Sequence, residues 1–277
     1  QAVQRILLHS DLTVEESLPP SIRQQAKLST ADFAIRRIHF PNDAKEIDIA
    51  RRRLAFEELF LVLSGLRALR AGRKKEKGPE MAIGAETETK LQSLLSQLPF
   101  ELTGSQKETI EAILTDFKRA EPANRLIQGD VGSGKTVVAA SAMAVAAWEG
   151  YQSVLMAPTT ILAGQHAESL AKILEGTGLE IALLTGAVPA AKRRLLAEQL
   201  KKGTIDILIG THAVLESDVT FQKLGLCVTD EQHRFGVRQR VSLTGEGEMI
   251  PHVLVMSATP IPRTLAMILY GDLDISE

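Results

Sequence analysis

Hydrophobic and polar positions follow a strand–helix alternation from residue 98 to the end of the chain. Short apolar runs predict strands, at Arg125–Gln128, Ser153–Ala157, Glu180–Leu184, Asp206–Ile209, Leu226–Val228 and His252–Met256. Longer stretches with helical periodicity lie between most of these runs, at Thr136–Trp148, Ile161–Leu174 and Ala190–Lys202. Buried strands that alternate with helices are typical of a doubly wound, mostly parallel α/β sheet.

The region before residue 98 has a different pattern, which predicts helices. Short helical segments interrupted by Pro19-Pro20 come first, and one long helix over about residues 43–73 follows them. Asn42 and Asp43 offer side chains that can cap the start of this long helix. We therefore predict a helical linker region over residues 1–97 and an α/β domain over residues 98–277.

Two charged stretches in the linker region carry weaker signals. Residues 73–88 are first charged and then small and polar, which predicts a flexible connection. Arg51-Arg-Arg53 lies within the long helix, where a solvated helical face is favoured over a contact with DNA phosphate.

Composition narrows the class of protein. With 44% apolar and 24% charged residues among 277, the chain is typical of globular proteins. The net charge of −2 means that any contact with nucleic acid comes from a local patch or from parts outside this sequence. The single cysteine, Cys227, excludes an internal disulfide framework and lies in an apolar run, which predicts a core position. The sequence has no signal peptide and no apolar run long enough for a bilayer, so we expect no membrane partner.

The strongest chemical signal is a phosphate-binding loop between a predicted strand and a predicted helix. Gly129-Asp-Val-Gly-Ser-Gly-Lys-Thr136 fits the pattern G-x-x-x-x-G-K-[ST] at every fixed position. Gly132 and Gly134 let backbone N–H groups surround an anion, and the helix that follows presents its positive end to the same anion. Lys135 adds a point charge, and the Thr136 hydroxyl can ligate Mg²⁺. The residues predicted to hold the phosphates of a nucleotide are Gly129, Asp130, Val131, Gly132, Ser133, Gly134, Lys135 and Thr136.

A pair of carboxylates follows another predicted strand. Ligands of open parallel sheets bind beyond the carboxyl ends of the strands, which places Asp230 and Glu231 near the phosphate loop. We expect Asp230 to hold Mg²⁺ and Glu231 to orient and deprotonate the attacking water. The alternative, a solvated acidic loop, is disfavoured by the complete phosphate loop. His233 has no second ligand at a metal spacing, so a hydrogen bond within the site is favoured over zinc binding.

Longer sequence segments around these motifs resemble superfamily 2 helicases, and more narrowly the RecG family of bacterial DNA helicases. These segments are Asp230-Glu-Gln-His-Arg-Phe-Gly-Val-Arg-Gln-Arg240, Met256-Ser-Ala-Thr-Pro-Ile-Pro-Arg-Thr264, Ala157-Pro-Thr-Thr-Ile-Leu-Ala-Gly-Gln-His166 and Ile209-Gly-Thr-His-Ala213. The match runs from about residue 19 to the end. Transcription-repair coupling factors share this motif set, but Gly132-Ser-Gly134 and Gln232 favour the RecG family.

The resemblance implies roles for residues on either side of the phosphate loop. Phe100, Thr103 and Gln106 match the family's adenine-reading motif, and the amide of Gln106 can pair with N6 and N7 of adenine. A helix N-cap at Thr103 is an alternative, and both roles can hold together. In the same family, Ser257 and Thr259 couple hydrolysis to domain movement, together with His233 in the acidic motif.

Four further residues fall in motifs that face the DNA backbone in this family. They are Thr159, His166, Thr211 and His212. Hydroxyl and backbone N–H groups contact phosphate without reading base sequence. The alternative for these residues, ordinary capping of loops and helices, stays open.

The resemblance also implies the activity and its partners. Family motors have two RecA-like lobes with ATP between them, and they act on branched DNA and stalled replication forks in recombination and repair. We expect this chain to carry the first, ATP-binding lobe, with Mg²⁺ as cofactor, double-stranded and branched DNA and the second lobe as partners, and a bacterial cytoplasmic location. An arginine from the second lobe is worth roughly 10³- to 10⁵-fold in rate, so the chain alone is expected to be inactive. The alternatives are a nucleotide-regulated binding module without translocation and a translocase like the transcription-repair coupling factors.

Overall fold

A computed structural model describes residues 14–73, 77–215, 219–230, 249–258 and 274–276. The chain divides into two compact units, residues 1–69 and 70–277. The first unit contains α1 (Pro20–Gln25), α2 (Ala31–His39) and most of α3 (Ala44–Arg73). The boundary between the two units lies within α3, at residues 69 and 70. The predicted domain boundary lies at residue 98, because the strand–helix alternation begins there.

A buried arginine holds the first unit together. The side chain of Arg53 is 0% exposed. Its guanidinium donates to Glu57 Oε2 at 2.6 Å, to the carbonyl oxygen of Ser29 at 3.1 Å and to Glu16 Oε1. The predicted solvated helical face is therefore wrong at Arg53, although the two arginines before it are exposed. Two carboxylates and a carbonyl replace the water that a buried guanidinium loses.

The second unit is built on a seven-stranded sheet with the strand order β3-β4-β2-β5-β6-β1-β7. Its strands are β1 (Asn124–Gln128), β2 (Gln152–Met156), β3 (Ile181–Leu184), β4 (Ile207–Gly210), β5 (Leu224–Asp230), β6 (His252–Ser257) and β7 (Asp274–Ser276). Every described pair of neighbouring strands is parallel. The predicted doubly wound α/β fold is confirmed, and the three-residue strand β7 is an addition that the pattern did not predict.

Helices surround the sheet. They are α4 (Ala85–Ser96), α5 (Gly104–Phe117), α6 (Lys135–Trp148), α7 (Thr160–Ile173), α8 (Ala190–Lys202) and a 3₁₀ turn at His212–Leu215. Helix α6 is buried without a break from Val137 to Ala146, as expected for a helix that is apolar on all sides. Two apolar clusters divide the core, with Val228 of β5 in one and its neighbour Cys227 in the other. Cys227 is 1% exposed, which confirms its predicted core position.

The segment before α4 is anchored to the second unit. The N–H of Gly78 donates to the carbonyl of Ala120 at 2.7 Å, and the N–H of Met81 donates to the carbonyl of Phe117 at 2.9 Å. Met81 is 1% exposed, and helix α4 begins at Ala85. The predicted flexible connection is therefore wrong over residues 77–88, because apolar side chains and paired backbone groups fix this segment. Residues 74–76 lie outside the described part of the chain.

A buried histidine joins this segment to the sheet. His252 is 0% exposed and lies against the ring of Phe117, with 4.9 Å between ring centroids. Its Nδ1 accepts from the N–H of Ala123 at 3.0 Å, and its Nε2 donates to the carbonyl of Pro79 at 2.7 Å. This pairing requires the neutral ring. Burial lowers the pKa of His252, although the hydrogen bond to Pro79 and the nearby Asp116 oppose that change.

We predict that the second unit loses stability in acid through His252. Because the folded pKa is lowered, the unfolded chain takes up a proton first as the pH falls below about 6.5. Stability is therefore full above that pH and falls below it, by at most about 1.4 kcal/mol per pH unit. Urea unfolding at pH 7.5 and 5.5, followed by fluorescence of the single tryptophan Trp148, measures this loss.

The matched variants for this measurement are His252→Gln and His212→Gln, the second at an exposed position of the same unit. We expect His252→Gln to be less stable at both pH values and to lose part of the pH dependence. His212→Gln should keep the full pH dependence of stability. An unchanged pH dependence in His252→Gln would show that His252 does not cause it.

Candidate functional site

Several of the predicted site residues lie where strands end. In the parallel register, Gln128 of β1 is level with Ser257 of β6, and Asp230 of β5 is level with Met256. The N–H of Gly129, the first residue of the phosphate loop, donates to the carbonyl of Ser257 at 3.3 Å. The loop, Ser257 and Asp230 therefore share one edge of the sheet, as the sequence predicted.

The phosphate loop has the backbone that its glycines permit. Gly132 and Gly134 have φ values of +83° and +81°, in the left-handed region that disfavours other residues. Gly134 is also the N-cap of α6. A Cβ at Gly134 would lie 2.3 Å from Nε2 of Gln106, so a side chain there would displace the Gln106 amide. Val131, at 89% exposed, lies on the solvent side of the loop.

Lys135 folds back over the loop. Its Nζ donates to the carbonyls of Gly129 and Asp130, at 2.7 and 2.8 Å. The cation is thus held beside the loop glycines and the N-terminus of α6, where partial positive charge favours an anion. When a phosphate binds, it can replace these carbonyls as the acceptor of the Lys135 hydrogen bonds. Thr136 follows as the second residue of α6 and is half-buried.

A cavity of about 250 Å³ opens between the loop and helix α5. Its lining includes the predicted residues Thr103, Gln106, Gly129, Ser133 and Lys135. This volume is below the roughly 300 Å³ at which typical ligand pockets begin. The lining also includes the polar residues Ser105, Thr109 and Gln128, which were not predicted as site residues although their positions beside Gln106 and the loop could have indicated them.

Gln106 links helix α5 to the phosphate loop. Its Nε2 donates to the carbonyl of Ser133 at 2.8 Å. Its Oε1 accepts from the N–H of Thr103 at 2.8 Å, while Thr103 Oγ1 accepts from the N–H of Gln106 at 3.3 Å, which makes a capping box. The alternative role of Thr103 as an N-cap is therefore confirmed. Adenine reading by Gln106 stays a prediction, and the nearby ring of Phe100 is 49% exposed.

Asp230 is paired with a histidine. Its Oδ2 lies 2.7 Å from Nε2 of His166 in α7, and the two side chains are 17% and 12% exposed. Sequence reasoning placed His166 toward the DNA backbone and did not foresee this contact. Oδ1 of Asp230 has no hydrogen-bond partner within the described residues.

The residue types at this edge fit Mg²⁺. Thr136 and Asp230 supply a hydroxyl and a carboxylate, and Mg²⁺ is usually bound through one or two such oxygens together with substrate phosphates. The described residues contain no group of three or more metal-binding side chains.

The remaining predicted residues lie at neighbouring strand ends or outside the described chain. Thr159 caps α7, where its Oγ1 accepts from the N–H of Leu162 at 3.2 Å. Thr211 is half-buried after β4, and His212 is exposed at the start of the 3₁₀ turn. Residues outside the described ranges are Glu231, His233 and Thr259. In the ranges that are described, no helix has the length and apolar character of a membrane span.

Comparison with known proteins agrees with this geometry. The ATP-dependent DNA helicase RecG of Staphylococcus aureus is 48% identical over 268 residues, which are 96% of this chain and 38% of that protein. The RecG of Staphylococcus epidermidis is also 48% identical, with 39% of its length covered. The chain thus spans less than two fifths of these relatives.

Solved structures and a family match point the same way. A RecG bound to a three-way DNA junction has a TM-score of 0.84 and 40% identity, and the match covers 96% of this chain and 36% of that one. A DUF1998 helicase, MrfA, bound to DNA has a TM-score of 0.53 at 17% identity over 73% of this chain and 31% of its own, which shows the fold alone. Residues 103–268 match the DEAD/DEAH box helicase family, more than half of the sequence. The chain therefore belongs to the DEAD/DEAH box helicase family.

Proposed function

We propose that this chain is the ATP-binding lobe of a longer bacterial DNA helicase that acts on branched DNA and stalled replication forks in recombination and repair. The observation that carries the proposal is the phosphate loop: Gly134 caps α6 in a conformation that needs glycine, and Lys135 is held over the loop beside a cavity. The 48% identity to RecG of Staphylococcus aureus supports the choice of DNA as partner.

In this proposal the loop from Gly129 to Thr136 holds the phosphates of ATP, and Lys135 neutralises charge that develops on them. Thr136 and Asp230 hold Mg²⁺, which supplies positive charge at the transferred phosphate. Glu231 orients the attacking water and takes its proton. Phe100, with its exposed ring, contacts the adenine.

Hydrolysis needs a second RecA-like lobe. A cavity of about 250 Å³ on this lobe leaves the rest of the wall around ATP to a partner surface. An arginine supplied from that surface is worth roughly 10³- to 10⁵-fold in rate. Alone, the chain holds ATP but hydrolyses it negligibly. Ser257, Thr259 and His233 relay the state of the nucleotide to the movement of the lobes, which close on ATP and open after hydrolysis.

DNA contacts on this lobe are few and made to the backbone. Thr159 uses its hydroxyl oxygen to cap α7, which leaves its O–H proton for a phosphate oxygen. Thr211 and the exposed His212 follow a neighbouring strand end. With a net charge of −2, this lobe relies on the longer protein for most of its attraction to double-stranded and branched DNA. The relatives are bacterial, and bacterial DNA lies in the cytoplasm, where we place this protein.

Replacing Lys135 tests the nucleotide site. A charge-assisted contact to phosphate is worth about 1.5–3 kcal/mol, so Lys135→Ala should weaken binding of a fluorescent ATP analogue about 10- to 100-fold. Lys172→Ala removes an exposed cation from α7 and should leave the affinity unchanged. Equal affinities for Lys135→Ala and the unaltered chain, in a fluorescence titration with Mg²⁺, would exclude the loop as the phosphate site.

Replacing Gln106 separates its two roles. Loss of its hydrogen bond to the carbonyl of Ser133 should weaken ATP and GTP alike, by about 2- to 10-fold in Gln106→Ala. Loss of adenine reading should add a further decrease for ATP only. We expect both effects in parallel titrations with the two nucleotides. An equal loss of affinity for ATP and GTP would exclude adenine reading by Gln106. A loss of affinity for ATP alone would exclude its role in supporting the loop.

A further inference from the structure

We propose that His166 is a positioning residue for Asp230, and that it holds the carboxylate in the orientation that Mg²⁺ binding requires. This inference rests on the proposed function, because it assigns a role toward the ion of the same ATP site. The contact itself is direct: Nε2 of His166 lies 2.7 Å from Oδ2 of Asp230, within the range of charge-assisted hydrogen bonds.

The position of His166 on α7 directs it into the protein. Ala163 and Leu170, three residues before it and four after it, are both 0% exposed, so all three lie on the buried face of the helix. His166 itself is 12% exposed. In this conformation its Nε2 is committed to Asp230, which argues against a direct contact of that nitrogen with DNA.

A buried polar side chain needs a partner, so the pairing alone could be structural. The identity of the partner favours a functional role. Asp230 ends β5 at the edge where the phosphate loop begins, and its register partner Met256 immediately precedes Ser257, whose carbonyl accepts from the loop. Oδ1 of Asp230 has no hydrogen-bond partner among the residues described. Within the described part of the chain, His166 thus contacts one oxygen of Asp230, and we assign the other oxygen to the ion or its water.

The chemistry of imidazole suits this task. An imidazole donates one hydrogen bond from Nε2, to a single oxygen of Asp230, whereas the permanent charge of lysine or arginine at position 166 would offset the negative charge that attracts a cation. Groups that orient metal-binding side chains in this way typically change metal affinity about 10- to 100-fold.

Two substitutions separate positioning from packing. His166→Leu keeps much of the volume and removes the donor. His166→Gln places its Nε2 amide near the position of the imidazole Nε2 and restores the donor. Glu168→Gln changes an exposed residue of the same helix and is the matched control.

The measurement is the dissociation constant of a fluorescent ADP analogue, with excess Mg²⁺ and with EDTA. The dissociation constant with EDTA divided by the one with Mg²⁺ gives the factor by which Mg²⁺ tightens binding, and this ratio does not depend on turnover. We expect His166→Leu to reduce this ratio about 10-fold or more, with the EDTA value unchanged. His166→Gln should stay within about 3-fold of the unaltered chain, and Glu168→Gln should match it.

Two results would overturn the proposal. Equal losses with Mg²⁺ and with EDTA in His166→Leu would mean that His166 only packs α7 against the sheet. A larger Mg²⁺ effect in His166→Leu would mean that His166 competes with the ion for Asp230. If Trp148 fluorescence shows that His166→Leu is unfolded, His166→Asn replaces it, because its shorter amide does not reach Asp230. An equal Mg²⁺ ratio for His166→Asn and His166→Gln would then contradict the proposal.

Failure of the proposed function has a different signature. If the chain does not bind the ADP analogue under either condition, and Lys135→Ala behaves like the unaltered chain, then the phosphate loop is not a nucleotide site. If the loop binds nucleotide through Lys135 but the Mg²⁺ ratio is insensitive to position 166, then only the role of His166 is excluded.

Discussion

The parallel register of β5, β6 and β1 is the constraint on which the site depends. Because these strands run in the same direction and end at the same level, Asp230, Ser257 and the start of the phosphate loop share one edge of the sheet. A shift of one residue in either pairing would turn alternate side chains to the opposite face. The apolar packing between α6 and the sheet favours this register. It therefore also sets the positions of Asp230, Ser257 and the phosphate loop.

Two side chains then tie the surrounding helices to that edge. Gln106 connects the capped start of α5 to the loop through the carbonyl of Ser133, and His166 connects the buried face of α7 to Asp230. Each contact joins a helix to a group that we assign to nucleotide or Mg²⁺ binding. Each hydrogen bond therefore links the position of a helix to the proposed nucleotide site.

Much of this architecture could be predicted because its signals are local. Strands β1 to β6 and helices α6 to α8 follow from periodicity, and the phosphate loop follows from eight consecutive residues. The contacts of Gln106 and His166 span 27 and 64 residues and depend on how helices pack, which periodicity does not specify. The charged and small residues of segment 77–88 predict a flexible connection, but two apolar residues among them, Met81 and Ile83, are buried and fix the segment. Residues Glu231, His233 and Thr259 lie outside the described ranges, so their roles rest on sequence alone.

The proposed function implies that this chain carries half of an ATP site. The direct test compares ATP hydrolysis by this chain with hydrolysis by the complete product of its gene, each with and without branched DNA, alongside nucleotide affinity. We expect measurable nucleotide binding by the chain, with turnover at least about 10³-fold below that of the DNA-stimulated complete protein. DNA-stimulated turnover by the chain at the rate of the complete protein, abolished by Lys135→Ala, would contradict it.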